Sequence, residues 1–236
     1  MKTISGGKID PSIKEVLKKL VTIDLDYLVA GGLLCQYYLK DHARFTKDVD
    51  IVFYDDRKVI EEKLNKAFGT ISFTYSEETD SFYEANFTCL TKANGLRGQV
   101  EGKRIGFFPE IKVEQYSYEG ITFKGVSIEY VIAEKLVSIL NELHRPYKHL
   151  VDIYSFSKID QSLIDKKEII RYVSLINAQE NEYRKKVGLK EINLPRKISD
   201  DKVLNPPIIV PTLQSKYNIA KEEMIREVNE WLETLL

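Results

Sequence analysis

A glycine pair at the end of an apolar run, followed by a strand that opens on two carboxylates, limits how this chain can fold. Tyr27-Leu28-Val29-Ala30 reads as a short buried strand, Gly31-Gly32 breaks it, and Leu33 to about Lys40 reads as a helix. In Thr46-Lys47-Asp48-Val49-Asp50-Ile51-Val52-Phe53 the apolar residues alternate with the aspartates, which is strand periodicity. Residues i and i+2 of a strand point to one face, so Asp48 and Asp50 are expected to project side by side. Like charges held that close repel unless a cation lies between them. Glycines at a strand-to-helix turn let backbone N–H groups approach a phosphate. The order therefore points to a divalent cation, a phosphate-bearing ligand and phosphoryl-type chemistry. Each half is weak alone: an Asp-x-Asp on a strand is more often a solvated edge, and a Gly-Gly is normally only a turn.

Sites of this kind usually need a third carboxylate on a neighbouring strand. The candidate segment is Glu110-Ile111-Lys112-Val113-Glu114-Gln115-Tyr116. With Ile111 and Val113 inward, Glu110, Lys112 and Glu114 share the other face. Glu114 is a candidate metal ligand, or the base for an incoming hydroxyl, and Glu110 is the candidate in a different register. The plain reading of the segment is an ordinary half-buried strand.

The surrounding pattern gives an α+β chain. Asp10-Pro11 reads as N-cap and first helical position, with Ile13, Val16, Leu17 and Leu20 as an apolar stripe. The second strand covers Val49–Tyr54, and a helix follows over roughly Asp56–Phe68. From Ile71 to Phe123 the runs Phe82–Leu90, Gln99–Phe108, Ile111–Tyr118 and Ile121–Phe123 suggest mostly antiparallel strands, with turns at Asn94-Gly95 and Glu119-Gly120. Beyond Ser127, a plausible N-cap, helices are expected over Tyr130–Glu142, Pro146 to about Ser157, Gln161–Ala178 and Lys221–Leu236. Leu194–Thr212, with four prolines, reads as an extended connection. The expected domains are 1–126, α/β, and 127–236, a helical domain closing an active-site cleft.

A formal net charge of −1 over 236 residues gives no global basic field, so nucleic acid would need a local patch. The runs Lys166-Lys167, Arg184-Lys185-Lys186 and Arg196-Lys197 could hold an RNA backbone, or each is a solvated face. Apolar stretches such as Ile208-Ile209-Val210 are far too short to span a bilayer. The first residues lack the apolar core of a signal peptide, and two cysteines make no disulfide framework. The expectation is a cytoplasmic protein with no membrane partner.

The segments Leu28-Val29-Ala30-Gly31-Gly32 and Arg44-Phe45-Thr46-Lys47-Asp48-Val49-Asp50 resemble the nucleotidyltransferase superfamily, with its DNA polymerase beta-like fold. Within it, Ile132-Ala133-Glu134-Lys135-Leu136 and Arg145-Pro146-Tyr147-Lys148-His149-Leu150-Val151-Asp152 look like the Glu-Lys-Leu and Arg-x-x-Lys-Asp-x-x-Asp segments of the AbiEii/AbiGii toxin family. The likeness covers about Tyr27 to Tyr154. It implies a mixed or antiparallel sheet flanked by helices, followed by a helical domain. It implies an enzyme that moves a nucleotidyl group from an NTP to a hydroxyl, which in related toxins can be the 3′ end of a tRNA, and a cognate antitoxin. By the resemblance, Asp48, Asp50 and Glu114 would bind Mg²⁺ or Mn²⁺. Gly31, Gly32 and Leu33 would cradle the triphosphate, Lys135 would meet phosphate, and Asp152 would stand at the rim. Arg44 and Lys47 flank the carboxylates, placed to offset their charge or to touch phosphate. Glu114 matches the family's third-carboxylate strand better than Glu110. Leu33 departs from the usual Ser or Thr, which loses a hydroxyl contact. His149 stands where Asp is common.

Lys135 also has a reading of its own. Val131 and Ile132 precede it by a turn and Ile139 follows by one, so it either snorkels outward or meets an anion. Asp152 is placed to pair with Lys135, or with Lys148 one turn away on its own helix.

Overall fold

The computed structural model describes residues 1–5, 8–55, 57–68, 72–75, 87–93, 96–104, 111–140, 147–186, 188–194, 197–199 and 219–235. The chain divides into two compact units, Met1–Ser127 and Ile128–Leu236. Glu110, the Asn94-Gly95 turn, Pro146 and most of the Leu194–Thr212 connection lie outside the described residues.

The first unit interleaves strands β1 (Lys2–Ile4), β2 (Tyr27–Ala30), β3 (Asp48–Phe53), β4 (Ser72–Tyr75), β5 (Phe87–Ala93), β6 (Leu96–Arg104), β7 (Val113–Tyr118) and β8 (Ile121–Val126) with helices α1 (Ser12–Leu20), α2 (Gly31–Leu39) and α3 (Arg57–Phe68). The strands form one sheet in the order β1-β7-β8-β2-β3-β6-β5-β4. The pairs β1–β7, β2–β8 and β3–β6 are parallel, and the other four are antiparallel. The sheet is thus mixed, with antiparallel pairing of β4–β5, β5–β6 and β7–β8 in the stretch expected to be mostly antiparallel. Between β3 and β6 the chain passes through α3, β4 and β5, a crossover long enough for parallel pairing. β1 carries no signal in the sequence, because three residues are too few to display a period.

Local rules explain most elements. Asp10 Oδ1 accepts the Ser12 N–H at 2.9 Å, and Ile13, Val16, Leu17 and Leu20 of α1 are at most 1% exposed. That stripe packs against β3 and β6. In β3, Val49, Ile51, Val52 and Phe53 are equally buried, so the strand that carries the aspartates is the centre of the core. Glu119 and Gly120 both have positive φ, 49° and 80°, and close the β7–β8 hairpin as a primed turn. Ser127 directly precedes the next helix, yet its hydroxyl is buried with no hydrogen-bond partner; its N–H donates to the Lys112 carbonyl. It does not act as a side-chain cap.

The second unit holds helices α4 (Ile128–Leu140), α5 (Tyr147–Lys158), α6 (Lys166–Lys186) and α7 (Lys221–Glu233) among the described residues. A single 3₁₀ turn at Gln161–Leu163 precedes α6, which runs on to Lys186 rather than stopping near Ala178. Tyr130 of α4 meets Tyr172 of α6 edge to face at 5.5 Å, and Trp231 Nε1 of α7 donates to Gln161 Oε1 at 2.7 Å. No described helix is long and apolar enough to cross a membrane.

Gly125 of β8 shows how tightly the sheet is packed. A Cβ there would lie 2.9 Å from the Tyr116 ring and 3.1 Å from the Val29 carbonyl oxygen. Gly125→Ala is expected to cost about 1–3 kcal/mol by overpacking, measured by denaturant unfolding of the full chain.

Candidate active site

The turn between β2 and α2 is closed by a carboxylate. Gly31 has φ +67°, in the left-handed region that favours glycine. A Cβ on Gly31 would overlap the Asp50 carboxyl group. With no Cβ there, Asp50 Oδ2 reaches in and accepts the Gly32 N–H at 3.1 Å. The backbone places it: Asp50 is the cross-strand partner of Ala30, the last residue of β2. The N-terminus of α2 is thus a working anion site, holding one of the chain's own carboxylates. Leu33 is fully buried, which leaves only its backbone for a ligand.

The other wall of the turn is Arg44-Phe45-Thr46. A Cβ on Gly32 would stand 2.9 Å from Thr46 Oγ1 and 3.4 Å from Arg44 Nη2. Gln36 Nε2 of α2 donates to the Arg44 carbonyl at 2.7 Å. Thr46 is held from the other side, its N–H donating to the Lys8 carbonyl and its carbonyl accepting the Asp10 N–H, both at 2.9 Å. Lys47 is exposed beside Asp48.

Asp48 and Asp50 are both half-buried and share one face of β3. The parallel neighbour β6 sets Gln99 opposite Asp48 and Glu101 opposite Asp50, and directly opposite residues point to the same face. Glu101 is a carboxylate the sequence reading passed over. It lies one strand, about 4.8 Å, from Asp50, and its Oε1 accepts from Gln99 Nε2 at 2.6 Å. Its segment, Gln99-Val100-Glu101, does alternate. What was missing was the knowledge that β6 pairs with β3.

Glu114 is placed differently. It pairs with Gly125 of β8, Gly125 with Val29 of β2, and Val29 with Ile51 of β3. Glu114 therefore shares a row with Ile51, on the face opposite Asp48 and Asp50, and about 14 Å away across three strand spacings. The structure does not bring it to the aspartates. On its own face it binds Lys2, accepts from Tyr116 Oη at 2.8 Å and from Tyr38 Oη of α2 at 3.2 Å, and has Lys112 Nζ at 3.8 Å. Burial alone would raise its pKa, but the hydrogen bonds from Lys2 and Tyr116 and the charges of Lys2 and Lys112 outweigh this and hold it below the ordinary carboxylate value. Burial raises the Tyr116 hydroxyl well above its usual value, as do the neighbouring Tyr38 and Glu114.

In the second unit, Lys135 Nζ of α4 and Asp152 Oδ2 of α5 form an ion pair at 2.6 Å. The side chains are 5% and 1% exposed, so Asp152 is paired with Lys135 and not with the exposed Lys148 of its own helix. His149 is half-buried. Of the basic runs, Arg184 is buried and donates to the Lys190 carbonyl at 2.6 Å, and Lys197 pairs with Glu233 at 2.7 Å. Arg196 lies outside the described residues. Among the described residues no three His, Cys, Asp or Glu side chains are grouped to hold a metal ion.

The mixed sheet with its helices is that of a nucleotidyltransferase fold. JHP933 from Helicobacter pylori shares it, with a TM-score of 0.51 and 14% identity over 94% of this chain and 88% of that one. So does a nucleotidyltransferase candidate from Helicobacter pylori, with a TM-score of 0.50 and 14% identity over 94% and 91%. A search of curated protein sequences finds no match. The profile of the family described as nucleotidyl transferase AbiEii toxin, type IV toxin–antitoxin system, matches residues 16–234. The chain belongs to that family, which implies an antitoxin partner.

Lys135→Met strands the Asp152 carboxylate in the core and is expected to cost about 3–5 kcal/mol. The double variant Lys135→Met/Asp152→Leu should recover much of this, as read from unfolding midpoints. At the other network, a carboxyl whose folded-state pKa is lowered stabilises the fold above its unfolded value, about 4.3. That contribution is lost as pH falls through the folded value. Glu114→Gln is therefore expected to be less stable than wild type at pH 7, and the gap should close as pH falls below the ordinary carboxylate range through the lowered folded-state value.

Proposed function

We propose that the chain is a Mg²⁺-dependent nucleotidyltransferase, the toxin of its toxin–antitoxin pair, moving a nucleotidyl group from an NTP to an acceptor hydroxyl such as the 3′ end of a tRNA. The observation that carries this reading is a pair of same-face aspartates on the central strand, one touching a glycine turn at a helix N-terminus. Mg²⁺ takes hard oxygen ligands and is commonly held by one or two carboxylates, with water and substrate phosphates completing its shell. Asp48 and Asp50 fit that demand without a third protein ligand, and Mn²⁺ has the same preference. Bound there, the ion would neutralise phosphate charge as the transition state develops.

The chain's own groups divide the remaining work. The N–H groups of Gly32 and Leu33 and the positive end of α2 attract phosphate. Lys47 adds an exposed positive charge next to Asp48. For Lys135 the proposed role is a phosphate contact, supported by its place in the Glu-Lys-Leu segment and by the Asp152 carboxylate that fixes its ammonium. The acceptor oxygen attacks the α-phosphorus, pyrophosphate leaves, and the acceptor proton must go to a base. The register favours Glu101 for that base, or for a third ligand, over Glu114.

The test is purified protein with Mg²⁺, each labelled NTP in turn, and total cellular RNA. Label should enter tRNA and vanish with Asp48→Ala. Glu101→Gln is expected to lower transfer at least about 100-fold, in the range of a lost general base, and Glu114→Gln to leave it within a few-fold. The reverse order would restore Glu114 as the third carboxylate. NTP binding without transfer to any acceptor would make the chain a nucleotide-binding member of the fold.

A further inference from the structure

The glycine turn lacks the hydroxyl residue that its superfamily often carries after the glycines, because position 33 is a buried leucine. The structure supplies a hydroxyl from elsewhere. Thr46 is 4% exposed, and its Oγ1 stands where it would touch a Cβ on Gly32 at 2.9 Å. No hydrogen bond of this hydroxyl is found among the described residues. This hydroxyl faces the helix terminus that already binds a carboxylate oxygen of Asp50. Its backbone is clamped on both sides by Lys8 and Asp10, so its position is set by the fold. The Arg44 guanidinium lies against the same turn, 3.4 Å from the Cβ position of Gly32, and Gln36 holds the Arg44 carbonyl.

We infer that Thr46 Oγ1, with Arg44 beside it, binds a phosphate of the nucleoside triphosphate and replaces the hydroxyl missing at position 33. This rests on the proposed nucleotide site. The hydroxyl donates to a phosphate oxygen, and the guanidinium offers a charge-assisted contact to the same group. Glycine at position 32 is then required by the ligand as well as by the turn, since any side chain there would fill the space in front of Thr46.

The experiment is calorimetric titration of the full chain with each of the four Mg²⁺–NTPs, without acceptor. Thr46→Val removes the hydroxyl and keeps the shape. It is expected to weaken NTP binding about ten- to a hundredfold, the worth of a hydrogen bond to a charged group, while Thr46→Ser binds as wild type does. Wild-type affinity in Thr46→Val overturns the inference and leaves the nucleotide site standing. So does a Thr46→Ser variant as weak as Thr46→Val, since the methyl group would then be what matters. If Thr46→Val does not fold, Thr46→Ala takes its place with the same two outcomes. A wild-type chain that binds none of the four NTPs overturns both this inference and the nucleotide site beneath it.

Discussion

The contact between Asp50 and the Gly31-Gly32 turn is the constraint on which the first unit depends. It exists only because Gly31 has no Cβ and takes a left-handed φ. It ties the centre of the sheet to the start of α2 through one N–H···O bond. Once that bond is made, the aspartate face of β3, the amide donors of α2 and the Arg44–Thr46 wall are held around one small space. A carboxylate at a helix N-terminus is favourable by itself, so the arrangement stands without a ligand. A ligand phosphate would compete for the same donors, and a cation would draw the same carboxylate.

The sheet separates two kinds of charge chemistry. On one face, Asp48, Asp50 and Glu101 present carboxylates in adjacent rows of β3 and β6. On the other, Glu114 is enclosed by Lys2, Tyr38 and Tyr116 and joins β7 to α2 and to the edge strand β1. A carboxylate with that many donors serves to hold elements together. Lys135 and Asp152 do the same between two helices of the second unit, as a buried pair at 2.6 Å. Such pairs are weak contributors to net stability but strong determinants of which partner sits where.

Local pattern made much of this legible. The helix of Ile13, Val16, Leu17 and Leu20, the β2 strand, the glycine break and the Asp48–Asp50 alternation all follow from periods of 3.6 and 2, which are written within a few residues. The Glu119-Gly120 turn follows from the φ values those residues tolerate. What the sequence did not display was pairing. That β6 lies beside β3, and that β8 and β2 stand between β3 and β7, depends on crossovers tens of residues long. Without that order, Glu101 looked like one polar residue in a strand and Glu114 like the natural third carboxylate. The parity error follows: Glu114 was rightly placed on a strand face, but nothing in its own segment says which face of the sheet that is. Thr46 was visible only as part of a motif, since its closeness to Gly32 is a property of the folded turn.

Parity also fixes the register of β3 against its neighbours. Successive residues of β3 alternate between the faces, so a one-residue slip of β3 against β2 and β6, which set Ala30 and Glu101 opposite Asp50, would exchange every side chain of the strand at once. Val49 and Ile51 would face the glycine turn, and both aspartates would be driven into the hydrophobic interior. The register with Ala30 and Glu101 is therefore what keeps both aspartates beside the turn.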